Sequence, residues 1–384
     1  VLRLAVDRDI PEAVSAFAAF GDVRLVSGRT MTAEQIGDAD VLVVRSVTQV
    51  NAALLGPTQI KFVATATSGI DHLDQNYLSS RKIEYFSAPG CNARAVAEFI
   101  LACVLLYESQ SDRGLAKLQV GIVGYGHVGR MVHSLLSVLG IACVINDPLL
   151  AEHDHSQLFV DIDTALASNI VTLHVPYTEH GGFATRRLIG SREFARIDPR
   201  TLLINASRGG VVEEREWKLW ADHSKGFTTV IDCWEGEPSI DLSLLRLADI
   251  ATPHIAGHTR DARLRATSMM VDQLSTALDI ENAWRPADIE SVAMTLEPGA
   301  LAEVVRDAVL ECCDPRIPSA ALRGTVGLPE LERTVEFDKF RRHAAKRGEF
   351  STRQIATGTL QMDTVRTLGE LGFRTTTDET DNDD

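Results

Sequence analysis

Short, continuous apolar runs recur along the first part of the chain, at 2–6, 23–26, 41–44, 62–65 and 83–86, with polar or helical stretches between them. That cadence predicts a small α/β domain on a parallel sheet. A second series at 120–123, 141–145, 170–175, 202–205, 230–232 and 250–252 predicts a larger doubly wound sheet. Between the two series, residues 93–108 read as one long helix, apolar on more than one side and therefore expected to be buried. Its longest apolar run, 99–107, is far too short to span a bilayer. A helical pattern over 263–278 is expected to return the chain to the first domain, which makes the second domain an insertion. Two connections at such a junction suggest a hinge that closes over a ligand. Further apolar runs at 301–310, 337–350 and 354–360 exceed what two domains need.

The run at 120–123 ends in Gly124-Tyr125-Gly126-His127-Val128-Gly129, and a helical pattern follows with Met131, Val132, Leu135, Leu136 and Leu139 on one side. The next run closes on Asn146-Asp147, the acid standing 23 positions after the first glycine. Strand, tight turn, helix, strand and acid are the parts of a dinucleotide-binding βαβ unit. Gly124 permits the turn, Gly126 admits a pyrophosphate to the backbone, and Gly129 lets helix and strand pack closely. Asp147 is expected to accept hydrogen bonds from a ribose hydroxyl pair and to repel the extra phosphate of NADP, so the predicted cofactor is NAD.

Composition narrows the partners. With 384 residues, 45% hydrophobic and 24% charged, the chain is long enough for two or three cored domains of ordinary type. A net charge of −15 argues against nucleic acid or an anionic membrane as a bulk partner, but leaves room for a local basic pocket. Cys91, Cys103, Cys143, Cys233, Cys312 and Cys313 form no Cys-x-x-Cys pair, and the N-terminus carries no secretion-signal pattern; a reduced, cytoplasmic protein is expected. His153 and His155 lack further spaced ligands, so no metal is expected.

Candidate chemistry sits at strand ends, where open parallel sheets place ligands. In the first domain these are Arg45-Ser46-Val47-Thr48 and Thr65-Ala66-Thr67-Ser68-Gly69, whose hydroxyls and glycine suit an anion but also suit an ordinary turn. In the second they are Asn205-Ala206-Ser207-Arg208-Gly209-Gly210, Asp232-Cys233-Trp234-Glu235-Gly236-Glu237-Pro238 and Thr252-Pro253-His254-Ile255-Ala256-Gly257. An arginine, a carboxylate and a histidine are thereby expected to converge at one sheet edge.

The glycine turn, Ser-Arg-Gly, Glu-Gly-Glu-Pro and Pro-His-Ile-Ala-Gly, in this order, resemble the D-isomer-specific 2-hydroxyacid dehydrogenases. Pro89-Gly90-Cys91-Asn92-Ala93 and Phe337-Asp338-Lys339 extend the likeness over most of the chain. The resemblance implies an NAD-dependent oxidoreductase acting on a phosphorylated 2-hydroxy acid, with Arg208, Glu237 and His254 as the catalytic set. It implies cofactor contacts at Gly124, Gly126, His127, Val128, Gly129, Asp147, Val175, Ala206, Ser207, Asp232 and Gly257, and substrate contacts at Arg45, Ser46, Thr67 and His258. Val175 and His258 stand where the nearest members more often carry threonine and tyrosine. The expected fold is α/β with two doubly wound parallel-sheet domains. A Rossmann-type NAD domain (94–257) is inserted in a flavodoxin-like catalytic domain (1–93 and 258–285), followed by a C-terminal α+β dimerisation domain with an acidic tail (286–384). Another dehydrogenase of the same family, and a non-catalytic NADH-sensing module on the same scaffold, remain as alternatives.

Overall fold

The computed structural model of the chain describes residues 1–111, 113–154 and 159–376. The chain divides into two compact units.

The first comprises Val1–Asn92 and Arg260–Asp288. Five strands, β1 (Leu2–Asp7), β2 (Gly21–Val26), β3 (Val41–Val44), β4 (Phe62–Thr65) and β5 (Glu84–Ser87), form an all-parallel sheet in the order β2-β1-β3-β4-β5. This is the flavodoxin-like order. Val41, Leu42, Val43 and Val44 are all fully buried, because helices or loops cover both faces and neither side of the strand meets water. The Arg260–Leu278 helix lays Ala266, Met270, Val271 and Leu274 against Leu4, Val6 and Phe17. The chain order reverses between β1 and β3, so Asp7 and Arg45 at their carboxyl ends stand at the switch point of the sheet.

The second unit comprises Ala93–Thr259 and the segment from Ile289 on. Its main sheet is parallel, with β6 (Gln119–Val123), β7 (Ala142–Asn146), β8 (Ile170–Leu173), β9 (Leu202–Asn205), β10 (Thr229–Ile231) and β11 (Ile250–Ala251) in the order β11-β10-β9-β8-β6-β7. Beyond β7, Phe159 bridges Ile145 in parallel register. Among the described residues that single bridge holds the outer place of the third strand in a dinucleotide-binding sheet. The Ala93–Ser109 helix is buried along almost its whole length and packs in one cluster with Val132, Leu135 and Leu136 of the His127–Val138 helix.

Val305, Ala308 and Val309 of the Leu301–Cys312 helix join the same cluster. The segment from Ile289 on adds a small parallel sheet, β12 (Val292–Met294), β13 (Arg353–Ala356) and β14 (Arg374–Thr376), in that order, with helices as crossovers. Phe337 of the Glu330–Ala344 helix is buried in the cluster that contains Trp217 and Trp234. No disulfide forms, and no helix among the described residues is long and apolar enough to cross a membrane. His155 and most of the acidic end, from 377 on, lie outside the described residues.

Candidate active site

The turn after β6 shows why three glycines stand there. Gly124 has φ +93°, and a Cβ on it would lie 2.7 Å from the backbone of His174 and 2.9 Å from Val175. A Cβ on Gly129 would lie 2.1 Å from the carbonyl oxygen of Gly124. Around Gly126, by contrast, an added Cβ would meet nothing within 4 Å. The helix beginning at His127 has Gly126 as its N-cap and no capping side chain, so the N–H groups of His127, Val128 and Gly129 retain their anion-binding character. This open, positively polarised turn fits a dinucleotide pyrophosphate.

Asp147 is tied into the same turn. One oxygen accepts from the Tyr125 N–H at 2.8 Å and the other from the Leu150 N–H at 3.0 Å, which also caps the following short helix. A carboxylate has about four acceptor positions, so each oxygen keeps one for a ribose hydroxyl. His174, against which Gly124 packs, shares a 3.0 Å hydrogen bond with Thr172, and burial pushes its imidazole down to about 3. It is a neutral wall of the turn.

The other three strand ends meet around a cavity of about 230 Å³ lined in part by Tyr177, Arg208, Trp234, Glu237 and His254. Asn205, the last residue of β9, clamps the first loop. Its Oδ1 accepts from the Ser207 N–H (3.1 Å) and hydroxyl (2.7 Å), while its Nδ2 donates to the Arg208 carbonyl at 3.0 Å and the Cys233 carbonyl at 3.3 Å. Gly209 follows because a Cβ there would lie 2.0 Å from the Trp234 carbonyl oxygen. Arg208 donates to the Ser207 carbonyl through Nη1 at 2.8 Å.

His254 has φ +55°, a left-handed conformation that costs a non-glycine residue roughly 1–2 kcal/mol. Asp232, 1% exposed, holds the backbone there: Oδ1 accepts from the Thr252 hydroxyl (2.6 Å) and the Ile255 N–H (2.7 Å), and Oδ2 from the Ala256 N–H (3.0 Å). Bonds to a charged acceptor contribute about 1.5–3 kcal/mol each, enough to offset the strain. Burial nonetheless keeps the Asp232 carboxyl above its ordinary range, against the opposing pull of His254 and these bonds.

Glu237 Oε2 lies 2.8 Å from His254 Nδ1, and Oε1 accepts from the Trp234 N–H at 2.7 Å. Burial, the largest single effect on Glu237, would raise its carboxyl; the charge and hydrogen bond of His254, with the Trp234 N–H, outweigh it and hold the group below its ordinary value. The pair is therefore built as a carboxylate facing an imidazole, with Nε2 left for chemistry. Cys233 Sγ is also within 4.8 Å of ligand atoms on Glu237 and His254. Its thiol, pushed far up by burial, donates to the Ser207 carbonyl at 3.4 Å, so it serves the loop as a hydrogen-bond donor.

In the first unit, Arg45 donates to Asp7 through Nε (2.9 Å) and Nη2 (3.3 Å), and to Asp9 through Nη2 (2.5 Å). Its charge is thus already met by two carboxylates. Ser46, next in the chain, is exposed. Thr67 is half-buried, shares a 2.8 Å hydrogen bond with Thr65 and donates to the Gly69 carbonyl at 2.9 Å.

A family model for the NAD-binding domain of D-isomer-specific 2-hydroxyacid dehydrogenases matches residues 106–256. The chain is 38% identical to the erythronate-4-phosphate dehydrogenase of Marinobacter nauticus over 92% of this chain and 94% of that one. It is 34% identical to that of a Marinomonas species over 97% and 99%. The chain belongs to the D-isomer-specific 2-hydroxyacid dehydrogenase family. Solved structures agree in fold. The D-lactate dehydrogenase of Aquifex aeolicus, complexed with NAD and lactic acid, superposes with a TM-score of 0.61 at 22% identity, covering 72% of this chain and 95% of that one. The NAD-bound 3-phosphoglycerate dehydrogenase of Entamoeba histolytica gives 0.62 at 19%, with the same coverage.

Several residues that build this dehydrogenase's site escape a reading of motifs. Asn205 and Trp234 hold loops through backbone groups, and Tyr177 lines the cavity; Asn205 and Trp234 lay within the strand-end segments but without a role of their own, and Tyr177 carried no signal. His258 and Gly257 are half-buried, directly after the loop gripped by Asp232, with the His258 N–H donating to the Ile255 carbonyl at 2.8 Å.

Proposed function

We propose that this dehydrogenase oxidises the 2-hydroxyl of 4-phospho-D-erythronate to 2-oxo-3-hydroxy-4-phosphobutanoate, an NAD-dependent step of pyridoxal 5'-phosphate biosynthesis. The observation that carries the reading is the 2.8 Å His254–Glu237 pair on a cavity that Arg208 also lines. The erythronate-4-phosphate dehydrogenases that align over most of the chain support the choice of substrate.

Arg208 holds the substrate carboxylate by charge-assisted hydrogen bonds. His254 Nε2 takes the proton of the 2-hydroxyl, and Glu237 fixes the Nδ1–H tautomer and stabilises the imidazolium that results. The bound nicotinamide supplies the hydride acceptor. The turn at Gly124, Gly126 and Gly129, with the N–H groups of His127 and Val128, would hold the pyrophosphate, and Asp147 the ribose. Val175, Ala206, Ser207 and Gly257 would line the cofactor. Asp232 would add its remaining Oδ2 acceptor position on the nicotinamide side. Ser46, Thr67 and His258 would contact substrate, with Arg45 acting from within its double ion pair.

The segment from Ile289 on would form a homodimer of this cytoplasmic enzyme. Exposed Ile317, Leu331, Val335 and Met362 support that assignment, and a monomeric mass in solution would remove it.

The test is single-turnover NADH formation on 4-phospho-D-erythronate, 3-phosphoglycerate, D-lactate and D-glycerate, with a parallel reaction in which an added 2-oxo acid reoxidises retained NADH and formation of the 2-oxo product is measured. Turnover is expected with the erythronate ester and lost in Arg208→Ala and His254→Gln. Preference for 3-phosphoglycerate would overturn the substrate, and full turnover by His254→Gln would overturn the mechanism.

A further inference from the structure

The loop that carries His254 is gripped from two sides. Asp232 takes the N–H of Ala256, as described, and the carbonyl of the same residue accepts a 3.1 Å hydrogen bond from Arg347 Nη2. Arg347 comes from the segment after the Glu330–Ala344 helix, far from the dinucleotide fold in sequence. Its side chain is only 16% exposed and also lies 3.5 Å from the Ala95 carbonyl, at the start of the Ala93–Ser109 helix.

The guanidinium is itself held by a buried ionic cluster. Glu98, fully buried on that helix, faces Arg347 Nη1 at 3.8 Å and accepts from Arg94 Nε at 2.8 Å and from the Phe350 N–H at 2.9 Å. Glu349 accepts from the hydroxyl of Thr259, at the far end of the same loop, at 3.1 Å. The Phe350 ring stacks on Phe373 at 4.5 Å and lies under the Arg94 guanidinium, which fixes the backbone of 347–350. Two cations and two carboxylates thus join one short C-terminal stretch to both ends of the loop that contains Ala256, Gly257, His258 and Thr259.

We infer that Arg347 is a positioning residue for the dehydrogenase reaction: it sets the height of the Ala256–Gly257 peptide and through it the aim of His254. Asp232 alone fixes N–H groups on one side of a strained turn. Arg347 supplies a bond on the next peptide unit: Asp232 holds the 255–256 peptide through its N–H and Arg347 holds the 256–257 peptide through its carbonyl, so the two planes that flank Ala256 are each tied by a charged hydrogen bond. The inference rests on His254 being the proton acceptor. A misplacement of about 1 Å in a reacting group costs roughly 100-fold in rate, which is the size of effect expected.

The experiment compares Arg347→Ala and Arg347→Lys with wild type and with His254→Gln, measuring kcat, KM, NADH affinity and thermal unfolding in the intact chain. Arg347→Ala is expected to lose kcat by about 10–100-fold with NADH affinity retained. Lysine, which keeps a charged donor, is expected to restore part of that loss, as is added guanidinium with the alanine variant. A folded Arg347→Ala enzyme with wild-type kcat overturns the inference, and so does a loss matched by equal loss of NADH affinity. Should the alanine variant fail to fold, Arg347→Met, which keeps the length of the side chain but has no donor for the Ala256 carbonyl, decides: wild-type kcat and KM together with lowered thermal stability would overturn the inference and make the residue merely structural. Retention of turnover by His254→Gln would instead indict the mechanism on which the inference depends.

Discussion

Replacing Glu237 by glutamine changes a single oxygen to NH2 at a position that uses both oxygens as acceptors. Oε1 takes the Trp234 N–H at 2.7 Å and Oε2 faces His254 Nδ1 at 2.8 Å. Glutamine has one acceptor and must choose. Its NH2 group is driven toward Nδ1, because pointing it at the Trp234 N–H would set two donors against each other in the interior. The imidazole then presents a lone pair at Nδ1 and carries its proton on Nε2, the tautomer that cannot take a proton from substrate. Loss of the charge-assisted bond alone, about 1.5–3 kcal/mol, corresponds to roughly 10- to 100-fold in rate. Tautomer inversion adds to it, and amide-for-acid changes in His–carboxylate pairs reach about 10,000-fold. Single-turnover NADH formation would measure this, with NADH titration showing that the cofactor site is intact. A fall in kcat of less than about tenfold, worth 1.4 kcal/mol, with NADH affinity unchanged would refute the assigned role of Glu237.

Gly124→Ala should weaken NADH binding and lower the unfolding temperature together. It combines φ +93°, a strain of about 1–3 kcal/mol, with a 2.7 Å clash on the His174 backbone; calorimetry and NADH titration check it, and unchanged affinity would mean the turn is not the pyrophosphate site. Glu98 is pushed up to about 7 by burial, against the pull of Arg94 and Arg347. A carboxyl raised on folding contributes stability at low pH that is lost as pH rises, here between its ordinary value of about 4.5 and about 7. Denaturant unfolding should therefore show Glu98→Gln gaining on wild type across that window, by up to about 3 kcal/mol; a difference independent of pH would refute the assignment.

What the sequence determined by itself was local. Runs such as 41–44 and 202–204 are continuously apolar because both faces of their sheets are covered, and that needs no knowledge of neighbours. The glycine turn was legible for a related reason: the φ +93° of Gly124 and the Gly129–Gly124 approach are constraints within a few residues, although the His174 backbone that also crowds Gly124 comes from a distant strand end. Arg208, Glu237 and His254 were legible because each lies shortly after such a run.

Tertiary structure decided what those groups do. Asp232, expected on the cofactor side, also holds the His254 loop through groups 20 to 24 residues away. Arg45 is met by Asp7 from the adjacent strand end, 38 residues earlier, and Arg347 reaches Ala256 across 91 residues. The left-handed backbone of His254 leaves no mark in the sequence, since it is imposed by the bonds on Ile255 and Ala256. Hydrophobic periodicity records which face of an element is dry. It carries no record of which distant carboxylate or guanidinium will satisfy a given backbone group, because that partner is selected only when the elements pack.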